Sequence, residues 1–364
     1  MKLLIVINSL AMGGAEKIVY DSIPLFAEKG FQVSLLLLNG RNTPFLEKLK
    51  KKNCCDIYSI KMRNIYNPFI IFKIIPFLKN AQIVHVHLFP SLYWVAIAKL
   101  FSASKAAFLY TEHSTVNRRR KILIFKYLDR FVYPWYHSII TVSNEVKQYL
   151  ENHLKSKSIQ YKTITNGVDL PVFNQAYPAN KAEFGILNNE KVLLMVARFT
   201  NEKDHETLIK AVPHLKHSIK LLLVGNGPLL PKMKQWASNL KVEEQVVFLG
   251  IRQDVPELLK MADIAVLSSH HEGLSLWGIE AMAAGKPLVA SKVSGLTMLV
   301  ADAGILFEHT DYLDLAKKLN LLLENESYYK TTALACFNRA QEYSLENLVK
   351  NHISFYEQVC INQN

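Results

Sequence analysis

The sequence predicts an α/β protein built from two Rossmann-like, doubly wound parallel-sheet domains. A chain of 364 residues is long for one hydrophobic core and comfortable for two. Short apolar runs alternate with amphipathic helical patterns, which is typical of parallel strands covered by helices on both faces. That rhythm stops once and then starts again, which indicates a domain boundary. Because such domains bind ligands at the carboxyl ends of their strands, we expect a ligand in a central cleft that the two domains face.

The positions of the apolar runs predict where the strands and helices lie. In the first half, strands are predicted at 2–9, 31–38, 83–88, 106–111, 138–142 and 161–165, with a first helix at 15–29. The segment 166–173 breaks the rhythm and is interpreted as a linker. In the second half, strands are predicted at 192–198, 219–224, 246–249, 264–267, 288–291 and 305–307, and only helical patterns follow. We therefore expect domains at 1–168 and 169–340, and a terminal segment 341–364 whose helix packs back on the first domain. Its apolar stripe comprises Leu345, Leu348, His352, Phe355 and Val359.

Composition excludes several classes of protein. Half of the residues are hydrophobic and a fifth are charged, so the chain is globular. No apolar run approaches the roughly 20 residues that a membrane-spanning helix needs. The four cysteines show neither metal-ligand spacing nor a disulfide framework, which favours a reducing cytoplasm.

The positive charge is confined to one half of the chain. Residues 1–170 contain 24 Lys and Arg against 10 Asp and Glu, whereas the remainder contains 19 against 21. This asymmetry indicates an anionic partner for the first half: a membrane surface, a nucleic acid or an acidic substrate. Four cations, Arg118, Arg119, Arg120 and Lys121, precede an apolar and aromatic segment, a pattern that suits a helix lying on an anionic membrane. No nucleic-acid recognition module is visible, so we expect no nucleic-acid partner.

Two glutamates flank a predicted helix start in the second half. Ser275 is a plausible N-cap and Gly285 can end the helix in the left-handed conformation, which gives a helix of about ten residues. Glu272 precedes the helix, and Glu280 lies about 7.5 Å along its axis. The first-turn N–H groups, helped by Gly273, favour an anion. The spacing alone leaves two interpretations open: ordinary solvated glutamates, or a site for a phosphate between two hydroxyl-rich groups.

Other polar residues also fall at predicted strand ends. Gly13 and Gly14 join the first strand to its helix, and Arg198 with Lys203 could neutralise a diphosphate. Gly225 and Gly227 lack the third glycine of a dinucleotide fingerprint, so hydride transfer is disfavoured. His85 and His87 face one side of their strand and His113 ends another, but without carboxylates at metal-ligand spacing we expect no metal.

The sequence EGLSLWGIE, followed by AMAAGKP, resembles the E-x7-E region of the retaining family 4 glycosyltransferases, which have the GT-B fold. GGAE at 13–16 and Arg198 with Lys203, an R-x4-K pattern, are similar to two further motifs of that family. Leu274, Ser275 and Trp277 differ from the residues of the usual EGFGxP motif. Met298 follows the last strand of the predicted donor site, in a loop where family members often have glutamate.

The resemblance implies roles for the residues that match it. Glu272 would contact the donor sugar and Glu280 the ribose, while Arg198 and Lys203 would bind the donor diphosphate. His113 would line the sugar site, with His85 and His87 in a less specific motif. Arg252 would lie near the base, and the remaining donor-lining residues would be Gly13, Gly14, Gly225, Gly227, Gly273, Leu274, Ser275 and Leu276.

The activity implied is metal-independent, retaining hexosyl transfer from a UDP- or GDP-sugar, with no cofactor beyond that co-substrate. The acceptor would be a lipid-linked saccharide in cell-surface polysaccharide, O-antigen or lipopolysaccharide biosynthesis. We expect a cytoplasmic protein bound peripherally to the inner face of the cell membrane. Two alternatives stay open: a GT-B nucleotide-sugar epimerase, and a non-catalytic partner protein recruited to the membrane. The sequence leaves the oligomeric state open.

Overall fold

The computed structural model describes residues 1–11, 13–114, 122–156 and 158–361. It divides the chain into two compact units. Unit 1 contains Met1–Gly167 and the terminal segment from Leu345, and unit 2 is Val168–Ser344.

Unit 1 contains a parallel sheet with seven strands among the described residues. These are β1 (Lys2–Ile7), β2 (Gln32–Leu37), β3 (Asp56–Ser59), β4 (Ile83–His87), β5 (Ala107–Glu112), β6 (Ser138–Thr141) and β7 (Tyr161–Thr163). Their order is β3-β2-β1-β4-β5-β6-β7. The helices between them are α1 (Gly14–Glu28), α2 (Pro44–Lys52), α3 (Ile70–Leu78), α4 (Ser91–Ser102), α5 (Leu123–Val132) and α6 (Asn144–Leu154).

Unit 2 is built in the same way around six described strands. These are β8 (Lys191–Val196), β9 (Ile219–Val224), β10 (Val246–Gly250), β11 (Ile264–Leu267), β12 (Leu288–Ser291) and β13 (Ile305–Phe307), in the order β10-β9-β8-β11-β12-β13. The helices are α7 (Leu170–Asn174), α8 (His205–Ala211), α9 (Leu230–Asn239), α10 (Val255–Met261), α11 (Leu276–Ala283), α12 (Ser294–Val300), α13 (Tyr312–Glu324) and α14 (Glu326–Ala340). A last helix, α15 (Leu345–Ile361), belongs to unit 1.

Each sheet has one point where the strand order reverses. In unit 1 it lies between β1 and β4, and in unit 2 between β8 and β11. Doubly wound sheets bind ligands outside the carboxyl ends of the strands at such a point. The loops after these four strands are therefore where each unit should carry its functional residues.

Helix α15 packs on unit 1 through the stripe that its sequence predicts. Leu345, Leu348, His352, Phe355 and Val359 are all buried, as are Val349 and Tyr356. The helix contacts α1, where Phe26 packs against Tyr356 with ring centroids 5.8 Å apart. The C-terminal helix thus contributes to the hydrophobic core of unit 1, most of which comes from the N-terminal half of the chain.

Three local predictions need correction. Strand β3 was not predicted, because its half-exposed DIYS segment lies at the sheet edge and lacks an apolar run. The predicted linker at 166–173 contains most of α7, whose Leu170 and Phe173 are buried in unit 2. The strand predicted at 192–198 ends at Val196, because the next residues form a loop that is held by the segment after β9.

Candidate active site

In unit 2, the loops that follow β8 and β11 are joined by an ion pair between two candidate residues. Lys203 Nζ donates to Glu272 Oε1, and Ser269 Oγ donates to the same oxygen at 2.9 Å. The side chains are 23% and 11% exposed, so the pair is sheltered but reachable. Within the described residues nothing bonds Glu272 Oε2, which leaves that oxygen available to a ligand.

Serine side chains fix the backbone of these two loops. Ser268 Oγ donates to the carbonyl of Asp204 at 2.7 Å, and Ser291 Oγ donates to the carbonyl of Ser269 at 2.6 Å. The backbone N–H of His270 also donates to the carbonyl of Glu202 at 2.9 Å. These buried bonds preorganise the ion pair, since neither loop can move without leaving polar groups unpaired.

Arg198 is exposed at the beginning of the loop after β8, and two glycines hold the backbone beside it. A Cβ on Gly225 would lie 2.0 Å from the carbonyl oxygen of Ala197, and one on Gly227 would lie 2.5 Å from that of Phe199. Both glycines therefore let the segment after β9 touch the backbone on either side of Arg198. In the described part of the chain the guanidinium of Arg198 has neither an ion pair nor a hydrogen bond, so it is free to bind an anion.

Helix α11 has its predicted ends, and Glu280 on this helix is buried instead of solvated. Ser275 Oγ accepts from the N–H of Gly278 at 3.3 Å, and Gly285 takes a φ of +75° in a Schellman-type ending. The helix has eight residues rather than about ten. Glu280 is only 6% exposed, because the adjacent helices α7 and α14 cover this helix.

A glycine outside the predicted site brings α12 against the Glu272 loop. A Cβ on Gly295 would lie 2.1 Å from the carbonyl oxygen of Gly273 and 2.4 Å from that of Glu272. Any larger residue at this position would displace the loop that carries Glu272. A glycine in VSGLT, shortly after a predicted strand, is the local signal at this position, but it does not reveal the contact with the Glu272 loop.

Arg252 has a partner within its own loop. Its Nε and Nη2 donate to the two carboxylate oxygens of Asp254 at 2.8 and 2.5 Å, and its guanidinium lies over the Phe184 ring at 5.5 Å. This bidentate bond lowers the pKa of Asp254. A role beside a nucleotide base would use the outer edge of a guanidinium already fixed in place.

In unit 1, Gly13 and Gly14 lie at the start of α1. Gly13 is the N-cap, with a φ of −125° that any residue could adopt. A Cβ there would lie 2.4 Å from Glu16 Oε2, so the carboxylate of Glu16 covers this end of the helix. An anionic ligand at the Gly-Gly turn would have to displace that carboxylate.

The three histidines singled out in the sequence lie together. The rings of His85 and His87 are 4.2 Å apart between centroids, as their alternation predicts, and His87 Nδ1 lies 3.0 Å from His113 Nε2. Burial lowers the pKa of His113 to about 4, against the opposing effect of the Glu112 carboxylate. The pKa values of His85 and His87 are also lowered, chiefly by burial. All three rings are therefore neutral near pH 7.

Sequence reasoning missed the residues that hydrogen-bond to His85 and to the neighbouring Glu112. Tyr356 of α15 and Thr111 of β5 both bond His85 at 2.6 Å, and Tyr133 Oη donates to buried Glu112 at 2.8 Å. Among the described residues, no group of three or more His, Cys, Asp or Glu is arranged to hold a metal ion. None of the described helices combines the length and apolar character that a membrane crossing requires.

The chain matches two family profiles in succession. Residues 12–171 match the profile described as glycosyltransferase family 4, and residues 177–342 match that described as glycosyl transferases group 1. Relatives include the N-acetyl-alpha-D-glucosaminyl L-malate synthase of Bacillus anthracis, 29% identical over 77% of this chain and 76% of the relative. An N-acetylgalactosaminyltransferase of Campylobacter jejuni, named for a diphospho-undecaprenol substrate, is 26% identical over 97% and 99%.

Solved structures agree on the fold. The crystal structure of Anabaena HepE with UDP and glucose has a TM-score of 0.84 at 19% identity, covering 98% of this chain and 100% of that one. WaaG, a glycosyltransferase involved in lipopolysaccharide biosynthesis, has a TM-score of 0.73 at 16% identity, covering 96% and 98%. The fold and the two profiles define a glycosyltransferase of the GT-B fold. Within that class, the chain belongs to the glycosyltransferases that are similar to family 4.

Proposed function

We propose that the protein transfers a sugar from a UDP- or GDP-sugar to a lipid-linked saccharide, with retention of anomeric configuration. The observation that carries this proposal is that exposed Arg198 and the Lys203–Glu272 ion pair both lie in the loops after β8 and β11, where the strand order reverses. Two cations there suit a diphosphate, and a carboxylate oxygen beside them suits sugar hydroxyls.

In the proposed reaction, the bond between the anomeric carbon and the diphosphate oxygen breaks. The acceptor hydroxyl oxygen bonds to that carbon on the same face, and its proton passes to the departing phosphate oxygen. Arg198 and Lys203 stabilise the negative charge that builds on that oxygen, and contacts within the surrounding loops hold the backbone that carries them. Because Lys203 is partly neutralised by Glu272 in this structure, Arg198 supplies the larger share of uncompensated charge.

The names of several relatives support the proposed class of acceptor. Campylobacter jejuni and Escherichia coli relatives are named as transferases for saccharides on diphospho-undecaprenol or diphosphoundecaprenol. Such acceptors suit a pathway that builds cell-surface polysaccharide, O-antigen or lipopolysaccharide. They also require the enzyme to work at a membrane surface.

Helix α5 supports a membrane-bound location, because its apolar side faces outward. Its buried side contains the charged residue Asp129, which accepts from Tyr93 Oη at 2.6 Å and lies 3.0 Å from His153 Nε2. The exposed residues in and just before this helix are mainly apolar: Ile122, Leu123, Ile124, Tyr127, Leu128 and Phe131. Arg118–Lys121, which immediately precede this segment in the sequence, lie outside the described residues. We propose that the enzyme binds the inner face of the cell membrane through this side of unit 1.

Vesicle binding tests the location. Replacing Arg118, Arg119, Arg120 and Lys121 by Ser should release much of the protein from acidic vesicles, at roughly 1 kcal/mol per basic residue. The matched control replaces Lys48, Lys50, Lys51 and Lys52 of α2 by Ser, which removes the same charge elsewhere on unit 1. Equal release of both variants would show that net charge, and not this surface, controls vesicle binding. Undiminished binding of the Arg118–Lys121 variant would refute the proposed membrane location.

A transfer assay tests the chemistry. The purified protein is incubated with UDP- and GDP-sugars, with and without an undecaprenyl-diphosphate-linked saccharide, and products are identified by mass spectrometry and NMR. A new glycosidic bond with the donor's anomeric configuration is expected only when the acceptor is present. An altered nucleotide sugar formed without acceptor would identify an epimerase. Absence of both products would favour a non-catalytic partner protein.

A further inference from the structure

A row of buried polar side chains runs through unit 1 from α15 to the end of β5. Tyr356 Oη lies 2.6 Å from His85 Nδ1, and His85 Nε2 lies 2.6 Å from Thr111 Oγ1. The His85 ring packs on His87, and His87 Nδ1 lies 3.0 Å from His113 Nε2. Among the members of this row, the family resemblance implies a defined role for His113 only, at the sugar site, so the remaining members need an explanation.

The bond between His87 and His113 links the hydrogen positions of the two rings. Both rings are neutral, because burial lowers the pKa of each. A neutral imidazole has one N–H and one lone pair, so the two rings must adopt complementary tautomers. If His87 Nδ1 carries the hydrogen, then His113 has an N–H at Nδ1 and can donate from it. If His113 Nε2 carries the hydrogen, then His113 Nδ1 can only accept.

We propose that His87 is a positioning residue for glycosyl transfer, which fixes the ring orientation of His113 and couples the tautomer of His113 to its own. This inference rests on the proposed function and on the role that the family resemblance implies for His113, which would line the site of the transferred sugar. His87 is only 4% exposed, so its side chain cannot contact a substrate, whereas His113 is partly exposed. The role of His87 is therefore exerted through its neighbour.

Tyr356 extends this role to the end of the chain. It holds His85 from one side while Thr111 holds it from the other, and the His85 ring forms the wall against which His87 packs. Tyr356 is fully buried and contacts the rings of Phe26 and Phe31, so its hydroxyl is held in one place. Helix α15 thus contributes to the arrangement of His113 although it is about 240 residues distant in sequence.

The helix also offers a control. His352 packs beside the same cluster, 5.5 Å from His85 between ring centroids, but its Nδ1 lies 2.9 Å from the carbonyl oxygen of Leu348 in its own helix. His352→Phe therefore disturbs packing at this interface without removing a member of the row.

Steady-state kinetics on four variants test the proposal. His87→Leu should lower kcat about tenfold, the effect of one lost hydrogen bond, and leave KM for the nucleotide sugar within about twofold. His87→Asn, whose amide can replace Nδ1 as donor or acceptor, should recover most of that loss. Tyr356→Phe should lower kcat about threefold, and His352→Phe should leave it unchanged. Equal losses of kcat in His87→Leu and His352→Phe would show that His87 acts only through packing, which would overturn the proposal.

Nitrogen-15 NMR of the histidine rings gives a readout that does not depend on activity. We expect the balance of the two His113 tautomers to differ between the wild type and His87→Leu, because the variant lacks the ring nitrogen to which His113 is bonded. An unchanged tautomer in that variant would overturn the proposal, even if the wild type transferred no sugar from any donor tested. A changed tautomer in a protein without transfer activity would support the coupling while refuting the proposed function. Full turnover by His113→Ala would overturn the positioning role of His87, because it would show that transfer does not depend on His113, and it would leave the proposed function standing.

Discussion

Acidification should weaken unit 1 through His352, and the size of the effect can be worked out. His352 is 6% exposed, and burial lowers its pKa from 6.5 to about 4, against the opposing hydrogen bond to the Leu348 carbonyl. Because the folded pKa lies below the unfolded one, the unfolded state binds more protons between these two values. The stabilisation is complete above pH 6.5 and is lost as the pH falls towards about 4.

For one such group, the free energy of unfolding should fall by about 2 kcal/mol between pH 7 and pH 5. The other buried histidines act in the same direction, so the wild type should lose more than this amount. The variant His352→Phe keeps an aromatic ring in place and removes only the one titrating group. Its loss between pH 7 and pH 5 should therefore be smaller than that of the wild type by about 2 kcal/mol.

Urea titrations at both pH values, read by amide hydrogen exchange in peptides from β4 and α15, would report unit 1 separately from unit 2. Val359→Ala is the matched control, because it perturbs a buried neighbour on the same helix face and adds no titrating group. It should lower stability equally at both pH values. If the free energy of unfolding depended on pH equally in the wild type and in His352→Phe, the conclusion that His352 is buried in its neutral form would be refuted.

Three further results are expected. Glu272→Gln should lower turnover about tenfold or more, through weaker bonds to sugar hydroxyls, and leave UDP or GDP affinity within about threefold; equally steep losses of both would contradict its role. Arg198→Ala should lower turnover by roughly a hundredfold without unfolding the protein, while EDTA leaves the wild type active; loss of activity in EDTA that Mg²⁺ or Mn²⁺ restores would contradict the mechanism. Gly227→Ala should weaken nucleotide binding about tenfold, because its Cβ would meet the backbone of Phe199; unchanged binding by isothermal titration would show that the loop can shift.

The parts of the fold that depend on local chemistry could be predicted from the sequence. Ser275 and Gly285 end their helix as capping rules require, and the terminal stripe from Leu345 to Val359 is buried as its period indicates. These features depend on neighbouring residues only. Edge strand β3 escaped prediction because a half-exposed strand of four residues has little periodicity.

The contacts that define the candidate site are not local. The Lys203–Glu272 pair joins residues 69 positions apart, and the Tyr356–His85 bond joins residues 271 apart. Sequence motifs marked Lys203, Glu272 and His85 as candidates, but no spacing rule indicates that they meet these partners. Gly295 was overlooked for the same reason, since only the folded loop of Glu272 shows why a side chain cannot fit there.

The central claim is that unit 2 binds the diphosphate of a nucleotide sugar with Arg198 and Lys203. Thermal unfolding in the presence of a panel of UDP- and GDP-sugars tests it most directly, since a ligand at 100 times its dissociation constant adds about 2.7 kcal/mol of stability. We predict that at least one nucleotide sugar stabilises the wild type, and that Arg198→Ala and Lys203→Ala each lose most of that stabilisation. No stabilisation by any member of the panel, or full stabilisation of both variants, would contradict the claim.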